Sequence, residues 1–464
     1  MAGTRRGLVG TGLAVATGFA LLAGGTPAHP AAPEQGAAPA ASAAPAVLEP
    51  ALTGADGLPS TAGLQAALGQ LTGDKAMATL NYAIADGTTG KLLLGSGEGS
   101  PATPASTTKL ATSVAALSLL PPQTRLTTKV VKGAGADEIV LVGGGDPTLT
   151  GLNPDQIRIG GAPVDGDSAP ASLPALAEQT AAALKASGLT TVHLDVDTSL
   201  YTGSPFHPFN DGTNIGPMSA LMVDEGRQTA TDDTDAPVRV VDPAGQAAAR
   251  FTDLLGAQGI KVADKPKEAA APAGAAPLAQ VQSPTIGRLV ERALTNSDNT
   301  LAEAIARQVA LAAHQPVSYD GGAAAVTAEL TKLGLPMQGV QLNDGSGLNV
   351  RNTIPPVFLA DLLAMAAAPD HPQLRPVLTG LPIGAFTGTL AKRYLASQGS
   401  GDGAGLVRAK TGSLTGVNTL AGTVVDADGR VLVFALMSKG APDANAARYA
   451  MDRIVTRLAS CGCR

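Results

Sequence analysis

Three short constellations in the chain carry residues able to do acyl-transfer chemistry. The first is Pro104-Ala105-Ser106-Thr107-Thr108-Lys109-Leu110. Leu110, Val114 and Leu117 follow at helical spacing, with no glycine or proline before Pro121, so a helix is expected to open at Ser106. Residues three apart share a helix face, which stands Lys109 one turn above Ser106. A serine hydroxyl is a weak nucleophile until a base takes its proton, and a neutral lysine at this spacing can be that base. The unpaired N–H groups and the dipole of a first helical turn favour negative charge developing there. Taken alone, Ser-x-x-Lys fits an N-cap serine beside a solvated lysine better. The second constellation is Ser297-Asp298-Asn299, between two helix-like segments. The third is Lys410-Thr411-Gly412-Ser413, in a strand-like segment. Each occurs once, in this order.

These motifs need a folded scaffold, and the composition supplies one. The chain has 464 residues, room for two or three domains. Hydrophobic residues make up 44% and charged residues 15%, as in a folded soluble protein, and Trp is absent, so the core must be built from Ala, Val and Leu. The net charge of −6 argues against a nucleic-acid partner, which would call for a basic patch. The only two cysteines, Cys461 and Cys463, cannot make a disulfide framework. There is no HExxH and no P-loop, and Gly143-Gly144-Gly145-Asp146-Pro147 reads as a turn, so neither a metal nor a nucleotide cofactor is implied.

Arg5 and Arg6 precede an apolar run over 8–23, and Thr26-Pro27-Ala28 offers a cleavage site. Residues 1–28 therefore read as an export signal, and 29–58 as an Ala/Pro-rich spacer. Retention of the signal would instead leave a membrane anchor. From 59 to 125 we expect the first part of a catalytic domain: a helix over 63–71, a hairpin of 80–84 with 91–94, then the Ser106 helix. Residues 110–296 are too many for one helix-to-helix connection. They contain strand-like runs at 127–131, 138–142, 192–196 and 238–241. Helix-like runs cover 173–186 and 244–255, the second with Gly256 placed to stop it. Hence 126–282 is expected to be an inserted α+β domain, with 269–276 a linker. The second catalytic part, 283–464, brings a helix ending before Ser297, another over 301–313 and a strand over 406–413. A hairpin over 420–437 and a last helix carrying Ala447, Met451, Ile454, Val455 and Leu458 on one face complete it. Asp344-Gly345-Ser346-Gly347-Leu348 reads as a structural turn. The two ends of the chain are expected to meet in one sheet. The fold class is α/β (α+β), a β-lactamase/transpeptidase-like sheet flanked by helices.

Ser-x-x-Lys, Ser-x-Asn and Lys-Thr-Gly together resemble the signature of class A β-lactamases and penicillin-binding proteins. With its long insertion between the first two motifs, the chain resembles the low-molecular-mass class C penicillin-binding proteins, the D-alanyl-D-alanine carboxypeptidase/endopeptidase family. The turn at 344–348, with Asn352 after it, is similar to that family's Asp-Gly-Ser-Gly-Leu turn, although Asn349 and Val350 replace its usual Ser-Arg. The resemblance implies that Ser106 is the acylated nucleophile and Lys109 its base. It implies that Ser297 passes the proton to the leaving group and that Asn299 binds Lys109 and the substrate amide. Lys410 and Thr411 would bind the terminal carboxylate, and the N–H groups of Ser106 and Ser413 would form the oxyanion hole. Asp197 resembles a position that reads the free amine of the stem peptide, against the plainer reading of a turn aspartate.

The function so implied is an exported, cell-envelope D-Ala-D-Ala carboxypeptidase or endopeptidase acting on peptidoglycan stem peptides, with β-lactam antibiotics as covalent inhibitors. A β-lactamase, or a catalytically silent wall-binding or β-lactam-sensing protein, are the alternatives. No Glu-x-x-Leu-Asn segment follows Ser297 to deacylate as class A β-lactamases do, and Glu303 reads as structural.

Overall fold

A computed structural model describes residues 57–464 except 160–161, 210–211, 233 and 235. The expected export signal and nearly all of the spacer lie outside the described residues. Among those described, no helix is long and apolar enough to cross a membrane.

The chain opens with helix α1 (Thr61–Thr72) and the hairpin β1 (Thr79–Asp86) and β2 (Leu92–Ser96). A 3₁₀ turn, Ala105–Thr107, runs directly into α2 (Thr108–Leu119). Ser106 therefore sits in the 3₁₀ turn and not in the α-helix proper. The inserted region then lays down β3 (Arg125–Lys132), β4 (Glu138–Val142), the short pair β5 (Arg158–Ile159) and β6 (Ala162–Pro163), α3 (Leu173–Ala186) and β7 (Thr191–Asp197). It continues with α4 (Pro243–Ala257), β8 (Lys261–Val262), β9 (Lys267–Glu268) and β10 (Pro277–Thr285). The chain returns through α5 (Ile286–Thr295), α6 (Asn299–Ala312), α7 (Tyr319–Lys332), α8 (Pro356–Ala367) and α9 (Arg375–Thr379). It ends with β11 (Arg408–Leu414), β12 (Val417–Val425), β13 (Val431–Lys439) and α10 (Ala444–Ala459).

Two mixed layers result, as the α+β expectation requires. The first sheet has the order β11-β12-β13-β1-β2, so the N-terminal hairpin joins the C-terminal strands through β1 and β13, antiparallel from Thr79↔Lys439 to Asp86↔Leu432. One face packs on α2, α5, α6 and α8, with Leu110, Val114, Leu289, Leu301 and Phe358 fully buried or nearly so. The other face packs on α1 and α10 through Leu64, Leu68, Met451 and Ile454. The inserted sheet, β10-β3-β4-β7-β8 with β9 also on β7, has its own core under α3 and α4 around Leu176, Val192 and Phe251.

Two local expectations are corrected. Residues 238–241 make no strand: only an isolated bridge joins Arg227 and Arg239, and Val241 is 81% exposed. Gly256 lies inside α4, and the left-handed residue just past the helix is Gly259, at φ +79°. Beyond the sequence reading, β10 pairs with β3 and closes the inserted sheet. Cys461 and Cys463 are joined to each other, which closes a local loop only.

Candidate active site

The site lies where the 3₁₀ turn before α2, the junction of α5 with α6, the 344–348 turn and the edge strand β11 converge. Each element holds its functional group by a local device. Ala105 adopts φ +48°, a left-handed conformation that costs a non-glycine residue energy and turns the chain sharply before Ser106. Ser297 stands at φ +58° between the C-cap of α5 and the N-cap Asp298, whose carboxylate accepts from Leu301 N–H at 2.9 Å. Asn299 then falls on the first residue of α6, facing α2.

The structure brings Lys109, buried in α2, to 3.0 Å from Ser106 Oγ. The Lys109 amine also donates to Asn299 Oδ1 at 2.7 Å and to the Ser346 carbonyl at 2.8 Å. Asn299 is oriented from its other end, where Nδ2 donates to the Asn214 carbonyl at 3.0 Å. Opposite, Lys410 Nζ donates to Ser297 Oγ at 2.8 Å and to the Thr411 carbonyl at 2.8 Å. Ser106, Lys109 and Asn299 thus form one hydrogen-bonded group and Ser297 with Lys410 another, and the two lysines lie near enough for the charge of one to act on the other.

Both lysines are fully buried or nearly so, and burial is the main force on each. Desolvation lowers Lys109 to about 8, against the carboxylates of Asp344, Asp298 and Glu303, which favour its charged form. Lys410 is pushed well below the usual lysine range, first by burial and then by the charge of Lys109. The like-charge effect thus falls on Lys410, and the carboxylates act on Lys109. Asp298, between Ser297 and Asn299, keeps its carboxyl below the usual range despite burial because Arg292 stands beside it.

Strand β11 passes close against Ser106. A Cβ on Gly412 would lie 2.1 Å from Thr419 Oγ1, 2.8 Å from the Pro104 carbonyl and 3.0 Å from Ser106 N, so the third residue of Lys-Thr-Gly must be glycine. Because β11 is the edge of its sheet, alternate backbone groups point off it. Ala409 N–H donates away from the sheet, to the Pro382 carbonyl. By the period of two, the N–H of Ser413 also faces off the edge, as one arm of an oxyanion hole must. The Thr411 hydroxyl donates to Thr389 Oγ1 at 2.8 Å, and Ser413 Oγ accepts from Arg448 Nη2 at 3.1 Å.

The turn at 344–348 is structural, but it also reaches Lys109. Its Ser346 carbonyl is one of the two acceptors that fix the amine, a contact that a side-chain motif cannot reveal. Glu303, one helical turn after Asn299 on α6, accepts from Gly345 N–H at 3.0 Å and Ser346 N–H at 2.8 Å. Asp344 accepts from Gly347 N–H, Asn349 N–H, Asn352 Nδ2 and His207 Nε2. Ligand atoms of His207, Glu303 and Asp344 lie within 4.8 Å of one another, but these hydrogen bonds already occupy the Asp344 oxygens and one Glu303 oxygen.

Asp197 stands apart. At the end of β7 in the inserted sheet, it accepts from Ser199 N–H, Ser199 Oγ and Ala271 N–H, and these bonds outweigh burial to hold its carboxyl below the usual range. None of its hydrogen bonds reaches the Ser106 cluster.

With this geometry in place, comparisons with known proteins agree on one family. The model of the D-Ala-D-Ala carboxypeptidase 3 (S13) family matches residues 64–236 and 228–460. A carboxypeptidase of Mycobacterium tuberculosis is 38% identical over 413 residues, covering 87% of this chain and 85% of the relative. Carboxypeptidase DacB of Mycolicibacterium smegmatis is 36% identical over 414 residues, with the same coverage of 87% and 85%. Among solved structures, penicillin-binding protein 4 of Haemophilus influenzae superposes with a TM-score of 0.68 at 21% identity, over 84% of this chain and 98% of its own. At that identity the likeness speaks for the fold.

Proposed function

The chain belongs to the D-Ala-D-Ala carboxypeptidase S13 family, and from that footing we propose that it removes the terminal D-alanine of peptidoglycan stem peptides through an acyl-enzyme on Ser106. The observation that carries this reading is the Lys109 amine 3.0 Å from Ser106 Oγ, with its other two directions ending on Asn299 Oδ1 and the Ser346 carbonyl. Those two oxygens can only accept, so a neutral amine spends both N–H groups on them and turns its lone pair to the serine hydroxyl. Ser106 Oγ attacks the carbonyl carbon between the two D-alanines, and its proton passes to Lys109. The oxygen of the tetrahedral intermediate takes the N–H groups of Ser106 and Ser413. The C–N bond breaks, and the departing amine collects a proton through Ser297. Water then hydrolyses the ester.

Lys410 completes the scheme. A substrate carboxylate near it favours the charged ammonium, and that charge in turn favours neutral Lys109. Substrate binding would thereby set both amines in their working states. Penicillin, a carboxylate with a reactive amide, should acylate the same serine; a penicillin-binding protein 4 of H. influenzae has been solved with a β-lactam bound. A β-lactamase reading is less well supported. Glu303, the acid closest in sequence to Asn299 on α6, gives Oε1 to the Gly345 and Ser346 N–H groups, a structural role in the 344–348 turn.

The export reading joins this proposal, since stem peptides lie outside the cytoplasmic membrane. A mature chain beginning near His29, found by N-terminal sequencing of secreted protein, supports it; a retained Met1 in the membrane fraction speaks for an anchor. For the activity itself, the test pairs fluorescent-penicillin labelling with D-alanine release. Stable labelling with release supports the carboxypeptidase, rapid loss of label supports a β-lactamase, and neither supports a silent protein.

A further inference from the structure

The geometry points to Arg448 as a second, solvent-facing cation that reads the substrate's terminal carboxylate at Ser413. This inference rests on the carboxypeptidase reading and adds a residue that no motif marks. Arg448 projects from α10 over the end of the β11–β12 hairpin, where Ser413 stands opposite Asn418. Its guanidinium donates to Ser413 Oγ at 3.1 Å, Asn418 Oδ1 at 3.3 Å and Asn445 Oδ1 at 3.3 Å. All three acceptors are neutral. The acids nearest it in sequence on this helix are engaged elsewhere: Asp452 pairs with Arg393 at 2.6 Å, and Asp443 caps α10 by accepting from Asn445 and Ala446 N–H. Among the described residues no carboxylate forms an ion pair with Arg448. A guanidinium held in place by neutral oxygens, and left without an anion, is preorganised for a carboxylate supplied from outside.

Its position fits that ligand. Ala409 packs into the core under α10, so by strand alternation Thr411 and Ser413 present their hydroxyls on the same side of β11 as Arg448. Lys410 points the other way. It is 0% exposed, and its amine is engaged by Ser297 Oγ and the Thr411 carbonyl. Burial also pushes Lys410 toward neutrality, whereas a guanidinium keeps its charge across the working range. The cation that an approaching carboxylate meets first is therefore Arg448, and the Ser413 hydroxyl it now holds becomes a second donor to that carboxylate.

The test compares an acylated D-Ala-D-Ala peptide with its C-terminal amide on wild type, Arg448→Met and Arg448→Gln, with thermal melts to show folding. Arg448→Gln can still donate to Ser413, so it separates charge from tether. Both variants should lose roughly ten- to a hundredfold in kcat/KM on the free carboxylate, mostly through KM, and about twofold or less on the amide. Added salt should lower the wild-type value on the carboxylate and leave both variants nearly unchanged. A wild type that cleaves both substrates alike overturns the carboxypeptidase reading and this inference together. A wild-type preference for the carboxylate that Arg448→Met or Arg448→Gln retains, or equal losses on both substrates, overturns this inference alone.

Discussion

Lys109 Nζ and Ser106 Oγ lie 3.0 Å apart across one turn of chain, and the amine's remaining contacts at 2.7 and 2.8 Å end on oxygens that cannot give a proton. In the proposed mechanism that pairing makes the protonation state of Lys109 the variable on which activity turns. With its free-enzyme value lowered to about 8 by burial, Lys109 is a base above that pH and a cation below it. The acid limb of kcat/KM should fall near 8, with activity rising as pH rises through it. A kcat/KM profile flat from pH 5 to 9 would remove Lys109 from the role of base.

The nucleophile is tested by its absence. Ser106→Ala should fold normally and take no penicillin, because the attacking oxygen is gone while Lys109, Asn299 and Lys410 remain. Intact-mass analysis after incubation with penicillin reads this directly. An acyl adduct on the alanine variant would place the nucleophile elsewhere.

In the proposed mechanism Lys410 couples substrate charge to that base. When a free carboxylate binds, Lys410 should become charged and drive Lys109 lower, so the acid limb of kcat should move below its position for the amidated substrate. Lys410→Met cannot make that charge, and its limb should stay at one pH for both substrates. The same variant should lose roughly ten- to a hundredfold or more in kcat/KM on the carboxylate, because neither the attraction of the ammonium for that charge nor its effect on Lys109 remains. Limbs that still differ between substrates in Lys410→Met would show that the coupling runs through another group.

The 344–348 turn gives a prediction far from any side-chain motif. Gly347 adopts φ +88°, and a Cβ there would lie 1.9 Å from the Ala105 carbonyl. Gly347→Ala must push the turn away from the Ser106 turn or strain its own backbone. Overpacking of this kind costs about 1–3 kcal/mol, and movement of the Ser346 carbonyl should lower kcat as well. Urea unfolding together with single-turnover acylation measures both effects. A variant as stable and as active as wild type would show that the turn tolerates the shift and does not position Lys109.

The sequence by itself determined whatever is local. Three-residue spacing on a helical turn brings Ser106 and Lys109 together whatever surrounds them, and strand alternation by itself sets Lys410 on the face opposite Thr411 and Ser413. Alternation and helical periodicity also located β4 and α3, because each buries a face whose apolar pattern survives in the sequence. Where that contrast fades, the pattern misleads: Val238, Val240 and Val241 are β-branched yet find no partner strand, and the stop that Gly256 suggests is made by Gly259. The tertiary structure alone decided the rest. It chose the Ser346 carbonyl as the third point on Lys109, since a backbone acceptor has no residue type. It turned Asn299 by giving its amide nitrogen the Asn214 carbonyl. It brought Arg448 to Ser413 across a hairpin and a helix. It also lowered both lysines, because desolvation depends on what surrounds a charge from every side, and that is fixed only when distant segments close around it.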